Sequence, residues 1–144
     1  MRVLIIESPH RTGIVPNICH RQHLKKSIRT IFSDETEDVQ IDIAAKLNGI
    51  SKVAKQYDII ILNSNYNNGM KDIEIAAKIR QNGIRLPIVL MSHDNQAKES
   101  LTKSKLQSVE WFGKPYRLDN LKQLLQNYIN EKNNTGLLVQ QDFG

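Results

Sequence analysis

Asp58-Ile59-Ile60-Ile61-Leu62-Asn63-Ser64-Asn65 is the stretch on which the fold turns. Ile59 to Leu62 form an unbroken apolar run between polar residues, too short for a helix and without alternation. A strand covered on both faces requires such a run, because neither set of alternate side chains meets water. It halts in Asn63-Ser64-Asn65-Tyr66-Asn67-Asn68-Gly69, a strong loop signal. Working outward, the signature recurs. Val3-Leu4-Ile5-Ile6 ends in Glu7-Ser8-Pro9, and Pro87-Ile88-Val89-Leu90-Met91 ends in Ser92-His93-Asp94. Pro87 stands at the first strand position, where its missing N–H is tolerated. Val109-Glu110-Trp111-Phe112 closes in Gly113-Lys114-Pro115, and Val39, Ile41 and Ile43 alternate with Gln40 and Asp42 as a short strand does.

Helical spacing fills the intervals. Leu24, Ile28, Ile31 and Phe32 predict a helix over 18–32, and Leu47, Ile50, Val53 and Ala54 predict a second. Ile73, Ile75, Ala76 and Ile79 place a third over 72–80, ended by Gly83. Ala97 and Leu101 mark a fourth, capped by Asp94 or Asn95, and Leu118, Leu121, Leu124, Leu125, Tyr128 and Ile129 mark a fifth. Strand followed by helix, five times over, implies βαβ units with a parallel sheet and helices on both faces. From Asn130 the composition, Asn-Glu-Lys-Asn-Asn-Thr-Gly, reads as loop or linker. The expected organisation is one α/β domain over 1–130 and a polar linker or tail over 131–144.

The length of 144 residues suits one domain, which typically spans roughly 100–200 residues. No apolar run is long enough to cross a bilayer, and Met1–Ile6 is too short for a signal segment. The single cysteine, Cys19, excludes an internal disulfide and suits a reducing compartment, so a cytoplasmic location is expected. The net charge of +5 is densest between Arg11 and Arg29, where a solvated helix face accounts for it without a nucleic acid. Cys19, His20 and His23 carry zinc-ligand chemistry, but three clustered candidates with no fourth make no zinc signature. The sequence holds no Gly-rich phosphate loop, no Gly-x-Ser-x-Gly and no His-Glu-x-x-His.

In open parallel sheets the site lies beyond the carboxyl ends of the strands. Here those ends carry Glu7 and Ser8, Asn63, Ser92, and Lys114 followed by Pro115. This constellation resembles the receiver domains of bacterial response regulators over roughly residues 2–130. The family keeps an acidic pair after the first strand and a phosphoacceptor Asp after the third. It keeps Ser or Thr after the fourth, and Lys-Pro after the fifth. The stretch from Leu86-Pro87 to Lys114-Pro115 matches the family's spacing without a gap, and Trp111 falls where the family keeps an aromatic switch residue. The resemblance implies a doubly wound, flavodoxin-like (βα)5 sandwich with a five-stranded parallel sheet in the order 2-1-3-4-5. It also implies a cis bond before Pro115, orienting Lys114 toward the pocket.

The departures bear on chemistry. Phosphoryl transfer to a carboxylate needs an ionised Asp as nucleophile. It also needs Mg²⁺, a hard cation held by carboxylate and carbonyl oxygens. A Lys pairs with a phosphoryl oxygen, and a hydroxyl reports its presence by hydrogen bonding. At the nucleophile position stands Asn63, whose amide has no anionic oxygen, and the second acidic position holds Ser8. Glu7 alone survives of the three carboxylates, so Mg²⁺ binding is expected to be weak or absent. Ser92, Lys114 and Pro115 remain as phosphate-pocket equivalents.

The expected function is therefore a receiver-like interaction module of a two-component or phosphorelay system, not an enzyme. It would bind a signalling protein, or a second copy of itself, through the fourth helix, fifth strand and fifth helix. The alternative is the receiver part of a DNA-binding regulator or hybrid histidine kinase, with DNA contacted only through an output domain. A flavodoxin-like enzyme is disfavoured because the strand ends offer few convergent acids, bases or nucleophiles. No membrane partner is expected.

Overall fold

The computed structural model describes residues 1–7, 18–33, 38–44, 50–64 and 69–142. Its strands are β1 (Arg2–Glu7), β2 (Gln40–Ala44), β3 (Ile59–Asn63), β4 (Ile88–Ser92) and β5 (Val109–Gly113). They form one sheet in the order β2-β1-β3-β4-β5, with every neighbouring pair parallel. The helices are α1 (Ile18–Ile31), α2 (Ile50–Val53), α3 (Gly69–Gln81), α4 (Asn95–Ser104) and α5 (Leu118–Asp142). The flavodoxin-like sandwich and its strand order are thus those that the sequence implied.

Alternation along the strands divides the core into two layers. Val3, Ile5, Ile59, Ile61, Val89 and Met91 face one side, where Leu24 and Ile28 of α1 and Leu121 and Leu125 of α5 cover them. Leu4, Ile6, Ile60, Leu62, Ile88 and Leu90 face the other, under Ala76 and Ile79 of α3 and Ala97 and Leu101 of α4. Neither face of the central strands meets solvent, which is why β3 and β4 read as unbroken apolar runs. Each fully buried Ile or Leu contributes about 1.5–3 kcal/mol relative to exposure.

In the second crossover, α2 and the 3-10 turn over Ala54–Gln56 occupy the described part of the expected helix, while Leu47 lies outside the described residues. Among the described side chains of this segment only Ala54 is buried, and Val53 is 39% exposed. One element differs from the expectation. At the other end, α5 passes the expected stop at Asn130 and continues to Asp142. No proline interrupts it, and a mid-helix glycine such as Gly136 costs only about 1 kcal/mol relative to alanine. The loop-like polar composition there is equally the composition of an exposed helix.

The predicted punctuation is present. Asp94 caps α4, its side chain accepting the Gln96 N–H, and Gly83 beyond α3 has φ +80°, a left-handed conformation that suits glycine. At the opposite edge of the sheet, Asp58 accepts a hydrogen bond from Lys132 Nζ at 2.7 Å and another from the Arg2 N–H at 2.8 Å, tying α5 to β1 and β3. Burial pushes the Asp58 carboxyl up, but these two bonds and the charges of Lys132 and the N-terminus outweigh it and hold the group below its usual range. A depressed carboxylate adds stability above its unfolded pKa and loses it as pH falls through the folded value. Asp58→Asn is therefore expected to cost about 0.5–1 kcal/mol at neutral pH, the scale of exposed ion pairs. Urea unfolding across the acid range should show the gap from the parent chain close as pH falls. A gap constant with pH would refute the linkage.

Candidate functional site

The carboxyl ends of β1, β3, β4 and β5 converge, and the register decides which side chains meet. Glu7 and Asn63 are direct partners across β1 and β3. Continuing the alternation of Val3 and Ile5 and of Ile59 and Ile61, both side chains emerge on the α1–α5 face. Asn63 Nδ2 donates to Glu7 Oε1 at 3.4 Å, and both residues are almost fully buried. This long bond turns the amide's NH₂ toward Glu7. Asn63 Oδ1 points away from it, buried, with no hydrogen-bond donor among the described residues.

Lys114 joins this pair from β5. Its backbone N–H donates to the Ser92 carbonyl at 2.9 Å, extending the β4–β5 ladder past Gly113. Its ammonium donates to the Ser64 carbonyl at 2.8 Å, while the Ser64 N–H donates to the Met91 carbonyl at 2.9 Å. Lys114 is thus stitched to the ends of β3 and β4 by main-chain groups. The Lys114–Pro115 bond is cis, as expected. Burial pushes the Lys114 ammonium below its ordinary value, and the negative charges of Glu7 and Asp72 oppose that shift.

Asp72 is the functional-site residue that the sequence reading missed. It lies in the first turn of α3, where a carboxylate suits the positive end of the helix, and it is 2% exposed. The signal that would have found it is its place: it is the first acid after Asn63, at the start of a helix that returns from the mouth of the site. Ser64, fully buried with its hydroxyl unbonded among the described residues, was equally unmarked in the sequence.

Ser92 is also fully buried. Its Oγ accepts the Asp94 N–H at 2.9 Å, and Asp94 Oδ1 accepts the Gln96 N–H at 2.9 Å. The hydroxyl therefore props the start of α4, while the Ser92 carbonyl holds the Lys114 N–H. Pro115 is exposed at the rim. Ser8 lies outside the described residues, as do the side chains of Cys19 and His20; His23 is exposed. Among the described residues, no group of three His, Cys, Asp or Glu side chains is placed to hold a metal ion.

Trp111 continues the site along β5 onto the α4 side. Its ring lies under Lys98, whose Nζ is 5.0 Å from the ring centroid, a cation–π contact. The indole Nε1 is buried and makes no hydrogen bond among the described residues. The ring also lies across Gly113: a Cβ placed there would stand 2.6 Å from the ring's Cη2. Gly113→Ala is accordingly expected to force the indole out of its place. Trp111 is the single tryptophan, so its emission reports this without ambiguity: a red shift and easier iodide quenching are expected. An unchanged spectrum would mean that the ring is not held by Gly113.

No family model and no curated protein matches this chain. Solved structures do. The phosphoreceiver-containing C-terminus of RcsC from E. coli is similar at a TM-score of 0.66 and 22% identity, over 94% of this chain and 48% of that one. A two-component response regulator from Clostridium difficile gives a TM-score of 0.59 and 20% identity, covering 92% of this chain and 98% of that one. The receiver domain of the sensor histidine kinase PA1611 from Pseudomonas aeruginosa, described with a magnesium ion in its active-site cleft, gives 0.59 and 18%, covering 90% and 97%. At these identities the likeness shows a shared fold, the receiver fold.

Proposed function

We propose that this chain is a receiver-like module of two-component or phosphorelay signalling that is not phosphorylated at Asn63. It works by binding a protein partner, or a second copy of itself, through the face of α4, β5 and α5. The observation that carries this reading is the position of Asn63: buried at the end of β3, beside Glu7 and near Lys114, where the fold's nucleophile would stand. An amide there cannot attack phosphorus, and the module needs no catalysis of its own.

The residues do not fit a Mg²⁺ ion well. The Asn63 amide points its NH₂ group, a donor, at Glu7, so it offers no anionic oxygen to a cation there. The Lys114 ammonium already bears on the carboxylates of Glu7 and Asp72. We read Ser92, Lys114 and Pro115 as retained framework of a phosphate pocket whose acids have been lost, and Trp111 as the side chain linking that framework to the α4–β5–α5 face. Among the described residues no helix is long and apolar enough to cross a membrane, and a cytoplasmic setting fits this role.

Sedimentation velocity with and without acetyl phosphate and Mg²⁺ tests the reading. The distribution of species should be identical in both conditions. A dimer formed only after acetyl phosphate treatment would contradict it. A second reading, the receiver part of a DNA-binding regulator or hybrid kinase, draws on α5, which runs to Asp142, beyond Ile129, its last core residue among the described side chains. Salt-dependent DNA binding by the chain itself would place the contact here; none would leave it to an output domain.

A further inference from the structure

Beside the Glu7–Asn63 pair, on the α1 side, lies a cavity of about 440 Å³, within the range of small-molecule sites, roughly 300–1,000 Å³. Its polar lining comes from His23 and Ser27 of α1, Asn63, His93 after β4, and Lys114 and Tyr116 after β5. Every one of these side chains can donate a hydrogen bond, and Lys114 brings an ammonium. No carboxylate lines it among the described residues; neither Glu7 nor Asp72 reaches it.

Several of the donors are not fully used. An ammonium has three N–H groups, and among the described residues that of Lys114 makes one hydrogen bond, to the Ser64 carbonyl. The Ser27 hydroxyl and the Tyr116 phenol both line the space, and burial pushes the phenol's pKa up, so it keeps its proton at neutral pH. His23 and His93 are exposed at the rim and donate through an imidazole N–H in either charge state. Among the described residues, the half-buried Lys114 cation has donors to spare, in a concave space walled by further donors and lined by no anionic acceptor. A compact oxyanion supplies acceptors on all sides, and its charge offsets the desolvation of Lys114.

We infer that the cavity between α1 and the ends of β4 and β5 is a binding site for a small oxyanion, a phosphate- or carboxylate-bearing molecule held by His23, His93, Ser27, Tyr116 and Lys114. It extends the proposed function and rests on it only for its consequence, a ligand input where phosphorylation is lacking. Occupancy would be sensed at Lys114 and passed along β5 through Gly113 to Trp111.

The test is calorimetric titration of the whole chain with inorganic phosphate and, separately, with succinate, with Trp111 emission followed in parallel. Saturable binding at one site per chain is expected for at least one probe, and the tighter one names the ligand class. His23→Ala with His93→Ala removes two exposed donors without touching the core, and should weaken binding about tenfold or more, as expected for lost hydrogen bonds to a charged group. The remote, exposed Lys52→Gln serves as control and should bind as the parent does. No saturable binding of either probe, or equal weakening in the histidine variant and the control, would overturn the inference. Intact mass after acetyl phosphate treatment reads phosphorylation separately, so failure of the anion site and failure of the proposed function are told apart.

Discussion

The double variant Asn63→Asp, Ser8→Asp is expected to bind one Mg²⁺ per chain, where weak or absent binding is expected of the parent chain. Position 63 is the direct register partner of Glu7, and its side chain already reaches the Glu7 carboxylate. A carboxylate there would face Glu7 as a like charge inside a buried site. Without metal this raises the pKa of the pair and destabilises the fold. Mg²⁺ relieves that repulsion and gains the anionic oxygens that it prefers to an amide. Two readouts should therefore move together. Calorimetry should show a one-site isotherm, and thermal unfolding should become Mg²⁺-dependent, with about 2.7 kcal/mol of stabilisation at a hundredfold excess over Kd. No heat and no shift in melting temperature would mean that position 63 does not face a cation site and that the pocket has been wrongly assigned.

Ile61→Ala is expected to be the most damaging truncation in the molecule. Ile61 is fully buried at the middle of β3, the central strand, in the layer covered by α1 and α5. Its pairing partners are Ile5 in β1 and Val89 in β4, themselves fully buried, so neither neighbour can move into the space left behind. Truncating a buried Ile to Ala costs about 2–5 kcal/mol, and the upper half is expected where collapse is blocked. For a domain of this size that lowers the melting temperature by roughly 10 °C or more. Val53→Ala, on an exposed turn, should stay within about 0.5 kcal/mol of the parent. Equal effects of the two substitutions, read by chemical denaturation, would refute the two-layer core.

The fold was legible because burial on both faces leaves a mark that needs no context. Ile59 to Leu62 and Ile88 to Met91 are apolar at every position, and both are strands with both sets of side chains covered. Helix ends were legible where local chemistry sets them, as at Asp94 and Gly83. They were not legible where nothing local decides: Asn130 to Asn134 is polar whether helical or coiled, and the α5 backbone runs through it. In the site, the strand-end residues Glu7, Asn63, Ser92 and Lys114 could be named in advance, because a parallel sheet delivers its strand ends to one edge. Asp72 carried a weaker signal, its place as the first acid after Asn63, because its approach depends on how α3 returns after β3, a distance in space that residue spacing does not encode.

These particulars share one premise, that the domain keeps the frame of a receiver and has lost its phosphoacceptor. Intact mass of the parent chain after incubation with acetyl phosphate and Mg²⁺ tests it most directly. An unchanged mass is expected. A stoichiometric adduct, stable to acid and labile to alkali, would mean that an acyl phosphate forms on a carboxylate of this chain and that the domain is a working phosphorylation switch.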